Sequence, residues 1–369
     1  MRVILSAGGT GGHLFPGIAL AEEFLSQGVE ILFLGTKRGI EAKVLPQKCY
    51  SWKTIVAKGF LRKKRLEKIL FPFFFFVGFW QSCFYLVKFK PNVVVGTGGY
   101  VCAAPILAAV LFRIPTVLLA LDCLPSRTVR ILEPLVNEVH TAFPESVSYF
   151  KRKEKIKWSG NPVRKEIGRV SKEEGIKYFN LAAGKKTLLI FGGSRGAHSI
   201  NLAVVEGLKN LMSWENLQLI IQTGKEDFTF VAEKSKPFGS RIVVKDFIEK
   251  MEYAYAASDF VVSRAGAGVA EILACRLPSV LIPFPYAADN HQEYNARSLE
   301  KAGAAWVLLN CDLNGKSLSE KILKILRDDK KRTEMAKKAK ELGKPEAAKK
   351  IVESIICLSH RNTQNNTKE

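Results

Sequence analysis

Four glycines and a histidine are packed into Gly8-Gly9-Thr10-Gly11-Gly12-His13. Glycine lets a backbone turn tightly and approach a ligand closely. A helix that opens directly after such a turn presents free N–H groups and the positive end of its dipole, a natural seat for a phosphate. Gly9-x-Gly11 shares the start of a dinucleotide fingerprint, but the full spacing is absent, and Gly35-Thr36-Lys37 stands where an Asp or Glu should close the next strand. NAD binding is therefore disfavoured. His13, at the helix start, has the chemistry of a general base or of a donor to phosphate, with helix capping or packing as the plainer alternative.

Comparable turns recur along the chain: Gly96-Thr97-Gly98-Gly99-Tyr100, Gly192-Gly193-Ser194-Arg195-Gly196-Ala197, and Ser263-Arg264-Ala265-Gly266-Ala267-Gly268-Val269-Ala270-Glu271. Ser194 and neighbouring amides suit a phosphate, and Arg195 adds charge. Glu271 falls about one turn into the helix opened by the small residues. A carboxylate there can grip two vicinal ribose hydroxyls, or simply sit well near the helix dipole. Asp289-Asn290-His291-Gln292-Glu293-Tyr294-Asn295-Ala296 follows Pro283-Phe284-Pro285-Tyr286. Its amides suit a hydroxyl-rich sugar, or mark a solvated helix start.

These motifs need elements to hold them. Val3-Ile4-Leu5, Glu30 to Leu34, Val93-Val94-Val95, Thr116 to Leu119 and Val139 to Ala142 read as strands, with helical segments between most of them. Leu14, Ile18, Ala21 and Leu25 recur at helical spacing after the first turn. This is the βαβ rhythm of a parallel, doubly wound sheet. Lys157 to Pro162 interrupts it as a linker or hinge. After a polar helix from Ser171 to Tyr178 the pattern restarts, with strands at Thr187 to Phe191, Leu217 to Gln222, Ile242 to Val244, Phe260 to Ser263 and Ser279 to Ile282. The chain reads as helical from about Ser317, and Ile351, Ile355 and Leu358 can pack as a final helix. Glycine notches thus lie at strand ends in both halves, where such sheets bind ligands. A cleft between two such domains suits a nucleoside diphosphate sugar on one side and an acceptor on the other.

Composition narrows the partners. The 369 residues favour two domains, and 56 Lys+Arg against 35 Asp+Glu leave a net charge of +21. Such a charge suits nucleic acid, an acidic membrane or a phosphorylated substrate. No nucleic-acid motif is present, and the basic residues cluster beside an apolar segment and in the tail, so nucleic acid is not expected. The seven cysteines form no Cys-x-x-Cys pair, which argues against a disulfide framework or zinc knuckle and for mostly buried thiols in a reducing compartment. No signal peptide is read at the start. Ile69 to Val87 has only Gln81 and Ser82 as clearly polar residues, with Arg62, Lys63, Lys64, Arg65 and Lys68 before it and Lys88 and Lys90 after. The segment reaches the lower edge of a membrane span. Crossing would separate Val3-Ile4-Leu5 from Val93-Val94-Val95, read as strands of one sheet. An interfacial helix is expected instead, with Phe73, Phe76, Phe79 and Trp80 toward lipid and lysines on anionic headgroups, and an ordinary buried helix is the alternative.

With these motifs in place, the chain resembles the MurG family of peptidoglycan glycosyltransferases to about residue 358. The resemblance rests on Gly8 to Pro16, Gly96 to Tyr100, Gly160 to Arg164, Gly192 to Ala197, Ser263 to Glu271 and His291 to Ala296. It implies an α/β chain of GT-B fold, two Rossmann-like doubly wound domains with a cleft between them. It implies a membrane-docking acceptor domain over 1–160, a helix at about 345–359 packing back on it, a UDP-sugar donor domain over 161–344 and a flexible tail over 360–369. The activity implied is inverting transfer of GlcNAc from UDP-GlcNAc to lipid I (undecaprenyl-pyrophosphoryl-MurNAc-pentapeptide), giving lipid II. The enzyme would sit peripherally on the cytoplasmic side of a bacterial inner membrane, with no metal and no cofactor. The chain has no Asp-x-Asp motif.

Carried over by motif, the resemblance places Thr10, Gly11 and Gly12 by the sugar and the acceptor diphosphate, and His13 by the reacting hydroxyl. It places Arg164, Ser194 and Arg264 on the donor side, with Ala267, Gly268, Val269 and Ala270 lining the notch. Ile248 would meet uracil through its backbone, Glu271 would hold the ribose, and Gln292 and Asn295 would read the GlcNAc. Two positions depart from the family. Leu119-Ala120-Leu121-Asp122 replaces a His-Glu-x-Asn type sequence, and the run Arg264 to Glu271 is one residue short. Asp122 thereby becomes a second acid–base candidate beside His13. A transferase for another lipid, such as a diacylglycerol, and a UDP-sugar-binding protein without acceptor chemistry are the alternatives.

Overall fold

The computed structural model describes residues 1–59 and 70–366, so Arg62, Lys63, Lys64, Arg65, Lys68 and Ile69 lie outside the described residues. The chain divides into two units, Met1–Arg164 with Glu346–Glu369, and Lys165–Pro345.

The first unit is built on seven strands: β1 (Arg2–Ser6), β2 (Glu30–Gly35), β3 (Trp52–Thr54), β4 (Val93–Gly96), β5 (Thr116–Ala120), β6 (Glu138–Thr141) and β7 (Ile156–Trp158). They lie parallel in the order β3-β2-β1-β4-β5-β6-β7. Side chains alternate along a strand, so one sequence feeds two cores. Val3, Leu5, Val93, Val95, Val117 and Leu119 face one core. There they meet α1 (Gly11–Ser26) and Ile351, Val352 and Ile355 of the last helix. Ile4, Val94, Leu118 and Ala120 face the other. That core is covered by helices α3 (Phe71–Phe89), α4 (Ala103–Leu111) and α5 (Arg127–Leu132), while α2 (Glu41–Gln47) follows β2. Such double burial is why these strands read as apolar runs.

The second unit repeats the plan. Strands β8 (Lys186–Phe191), β9 (Leu217–Gln222), β10 (Ile242–Lys245), β11 (Phe260–Ser263), β12 (Ser279–Leu281) and β13 (Ala305–Val307) form a parallel sheet, order β10-β9-β8-β11-β12-β13. Its helices are α6 (Lys172–Tyr178), α7 (His198–Met212), α8 (Phe228–Ser235), α9 (Met251–Ala257), α10 (Gly268–Ala274), α11 (His291–Lys301), α12 (Gly315–Leu326) and α13 (Asp329–Leu342). α7 and α12 close one face over Leu188, Ile190, Leu219, Ile221 and Val262. Both α6 and α12 open on capping boxes, Ser171 with Glu174 and Asn314 with Ser317.

Several expectations change. Lys157 and Trp158, read as linker, belong to edge strand β7. The last helix, α14 (Ala347–Asn366), runs beyond 359 because no glycine or proline follows Leu358 to stop it. Only Cys83, Cys102 and Cys123 are buried, whereas Cys49, Cys311 and Cys357 are exposed. The apolar segment is one helix, α3, long and apolar enough to cross a membrane by length and composition. It nevertheless packs as a crossover helix of the sheet. Its Gly78, Ser82, Cys83 and Leu86 are buried, and Gln81 Oε1 accepts the Val56 N–H at 2.7 Å. Phe79 turns toward this core, and Phe84 and Val87 replace it on the exposed side with Phe73, Phe76 and Trp80.

Candidate functional site

In the first sheet the strand order reverses between β1 and β4, which makes their carboxyl ends the switch point where such sheets receive ligands. Both N-terminal glycine turns fall there. The first leaves β1 and enters α1, with Thr10 extended at the cap and its carbonyl accepting from His13 N at 3.2 Å and Leu14 N at 3.0 Å. Gly9 has φ +81°, a conformation that disfavours any side chain.

His13 is set by the second turn. Its Nδ1 lies 2.7 Å from the Thr97 carbonyl. A carbonyl only accepts, so Nδ1 carries the proton and Nε2 is the basic nitrogen of the neutral ring. Gly99 lies flat against the imidazole, where a Cβ would come within 2.9 Å of Cδ2. Ser126, the cap of α5, donates to the Gly98 carbonyl at 2.6 Å and accepts from Val129 N at 3.3 Å, tying in the stretch after β5. Asp122 lies in that stretch, part-exposed, with its carbonyl accepting from Ser146 Oγ at 3.1 Å. Neighbouring strands β1, β4 and β5 thus bring Thr10, Gly11, Gly12, His13 and Asp122 to one edge of one sheet. Arg164 ends the first stretch of this unit, outside any strand or helix.

The second unit repeats the switch between β8 and β11. Ser194 and Arg195 are exposed at the tip of the turn after β8. Gly196 takes φ +75° and has the Thr223 carbonyl where a Cβ would go. Gln222, closing β9, spans two loops: Nε2 donates to Gly193 O at 3.0 Å, and Oε1 accepts from Ile248 N at 2.9 Å. The Ile248 N–H is therefore engaged, and a base meeting this backbone would meet its carbonyl.

After β11, Ala267 is exposed, Gly268 and Ala270 are half-buried, and Val269 is buried beneath them. Tyr255 Oη donates to Glu271 Oε2 at 3.0 Å and so orients the carboxylate. Arg264 is turned inward. Its Nη1 donates to Ile282 O at 3.2 Å, Pro283 O at 3.1 Å and Asn310 Oδ1 at 2.9 Å, and Nη2 donates to Ser199 Oγ at 2.8 Å. Burial lowers its pKa to about 10, so it stays cationic at neutral pH. All four acceptors are neutral, and the positive charge remains as a field at the switch point.

Gln292 and Asn295 separate in role. Gln292 Oε1 accepts from Phe284 N at 3.0 Å, and its Nε2 lies alongside Gly266. Asn295 is buried and donates to the Ala265 carbonyl at 3.0 Å, which makes it a support beneath the turn. Gln222 and Tyr255 were not singled out by sequence reasoning. Gln222 carried one signal, a polar residue closing the buried run Leu217 to Ile221. Among the described residues no group of three or more His, Cys, Asp or Glu side chains is placed to hold a metal.

Comparison with known proteins gives one picture. The glycosyltransferase family 28 N-terminal domain matches residues 3–141, and its C-terminal domain matches residues 187–351. A relative in Caldanaerobacter subterraneus subsp. tengcongensis is 42% identical over 368 residues, covering 97% of this chain and 100% of the relative. One in Desulfitobacterium hafniense is 42% identical over 366 residues, covering 97% and 99%. Both are named UDP-N-acetylglucosamine–N-acetylmuramyl-(pentapeptide) pyrophosphoryl-undecaprenol N-acetylglucosamine transferase. The crystal structure of Acinetobacter baumannii MurG superposes with a TM-score of 0.76 at 26% identity, covering 96% of this chain and 98% of that one.

Proposed function

Because the chain belongs to glycosyltransferase family 28, and within it to the MurG family, we propose that it transfers GlcNAc from UDP-GlcNAc to lipid I. The product is lipid II, a peptidoglycan precursor, and the activity thereby serves cell shape and division. The observation that carries the reading is the pairing of similarity over 97% of the chain with glycine turns at the switch points of both sheets.

The reaction is one displacement with inversion. An acceptor hydroxyl attacks the anomeric carbon, the bond to the diphosphate breaks, and UDP departs. His13 Nε2 takes the hydroxyl proton, in the tautomer held by Thr97. The donor rests on the second unit. Glu271 takes the ribose hydroxyls, Ser194 and the turn amides take the diphosphate, the Arg264 charge favours the leaving anion, and Gln292 reads the sugar.

The exposed side of α3 is the membrane contact. Phe73, Phe76, Trp80, Phe84 and Val87 recur at helical spacing, with Phe73 63% and Trp80 58% exposed. Lys58 lies 3.4 Å over the Phe74 ring, and Lys88 and Lys90 end the helix, so cations border the apolar stripe. That border, with the net charge of +21, supports anionic headgroups as the partner ahead of nucleic acid. The site is peripheral, on the cytoplasmic face of a bacterial inner membrane.

The family's His and Glu are missing from Leu119-Ala120-Leu121-Asp122, and that absence is what favours a rival lipid acceptor. UDP release from UDP-GlcNAc, measured with lipid I and with diacylglycerol as alternative acceptors, decides between them. Release with lipid I alone supports the reading. Release only with diacylglycerol, or binding of UDP-GlcNAc with no release, overturns it.

A further inference from the structure

The glycine turn that carries His13 rests on a carboxylate no motif announced. No acid closes β2, where Gly35 and Thr36 stand. Glu41, the first residue of α2, folds back into that place and is fully buried. Its Oε2 accepts from Gly9 N at 2.9 Å. Its Oε1 accepts from Thr36 N at 2.8 Å and from Thr36 Oγ1 at 2.7 Å. Thr36 Oγ1 in turn accepts from Gly39 N at 3.1 Å. Gly8, Gly35 and Gly39 leave no room for a Cβ beside this side chain. On the other side of Gly9 lies the Tyr100 ring, within 2.8 Å of where a Cβ would be.

We propose that Glu41 is a positioning residue for the transfer reaction: by holding the Gly9 N–H it fixes the Gly8–Gly12 turn, and with it the register of His13 against the Thr97 carbonyl. The inference rests on the transferase reading given above. A carboxylate suits the place because every hydrogen there is a donor from protein, and a buried anion accepts from all of them at once. It also takes the Gly9 N–H away from any ligand. Bound phosphate must therefore be met by the amides further on, toward Gly11 and Gly12. The Tyr100 phenol registers the same anion. Its pKa is raised first by burial and then by the Glu41 charge.

Glu41→Gln is the direct test. The amide oxygen can still accept from Thr36, but its NH2 then faces the Gly9 N–H, donor against donor. Two readouts are made on the full chain. Amide exchange at Gly9, resolved by NMR, should accelerate about 10- to 100-fold, the worth of a hydrogen bond to a charged group. Transfer with UDP-GlcNAc and lipid I should lose kcat by about tenfold or more, while UDP binding, seated on the second unit, stays within about twofold. Glu41→Asp keeps the charge on a shorter stem and should recover part of both losses. It also provides the reading if the glutamine variant does not fold. Unchanged kcat despite lost Gly9 protection, or UDP binding that falls in step with kcat, overturns the proposal. If the wild-type chain transfers nothing to lipid I, the acceptor assignment fails instead, and the Gly9 exchange arm still reports on the Glu41 contact.

Discussion

Glu138→Gln should remove a pH-dependent lock between the last helix and the first sheet. Glu138 is buried on β6, where Lys157 Nζ donates to Oε1 at 2.8 Å and Ser354 Oγ of α14 donates to Oε2 at 2.7 Å. His140 Nε2 lies 3.4 Å from Oε2, and Lys157 Nζ also reaches Ser354 Oγ at 2.7 Å. Burial alone raises the carboxyl pKa. The His140 ring beside Oε2, hydrogen bonds from Lys157 and Ser354, and the Lys157 charge outweigh it and bring the value from 4.5 to about 2. That gap corresponds to about 3 kcal/mol of native stability at neutral pH. The folded pKa lies below the unfolded one, so the contribution is complete above pH 4.5 and is lost as pH falls toward about 2. Near pH 3, about 2 kcal/mol of it is gone. Urea unfolding near pH 7 and near pH 3, read by pulsed hydrogen exchange on peptides spanning 136–158 and 347–361, isolates the first unit. Wild type should lose about 2 kcal/mol more than the variant between the two conditions, since all other titrating groups are shared. Equal losses in the two proteins would mean that Glu138 holds no pH-dependent lock.

Three further outcomes follow from the site. His13→Ala should lower kcat by about 10²- to 10⁴-fold with UDP binding intact, and Asp122→Ala should show whether the proton is shared; if neither lowers turnover, the base assignment is wrong. Glu271→Gln should raise the KM for UDP-GlcNAc by about tenfold, and Tyr255→Phe by less, because the tyrosine only orients the carboxylate; equal effects would contradict that order. Phe76→Ser with Trp80→Ser should cut cosedimentation with anionic vesicles by about tenfold while leaving thermal stability near that of wild type, since both side chains are exposed. Unchanged vesicle binding would remove α3 from the membrane contact.

The site turns were legible because they combine two strong signals, an apolar strand ending and glycines before a helix, as at Leu5 to Gly12 and Phe191 to Gly196. The long buried strands were legible for the same reason. Edge strands β3 and β13 have three residues each, too few to show a period, and Gly160 and Pro162 just past Ile156–Trp158 made β7 look like linker. Partner choice was the harder part. Glu41 reads locally as an acid in the first turn of a helix, and only the fold brings it under Gly9. Asn295 and Gln292 sit three residues apart on one helix, yet burial makes the first a support for Ala265. Phe79 and Phe84 exchange sides for a similar reason. A nineteen-residue apolar helix has no polar face to show which side packs until Gly78 meets Val56.

Transfer of GlcNAc to lipid I is read in the mass of the product. Incubation of the full chain with UDP-GlcNAc and lipid I should give a lipid one N-acetylhexosamine heavier, β-linked after inversion, with UDP released in equal amount. An unchanged lipid I in the presence of bound UDP-GlcNAc, or a sugar placed only on another lipid, would contradict the account.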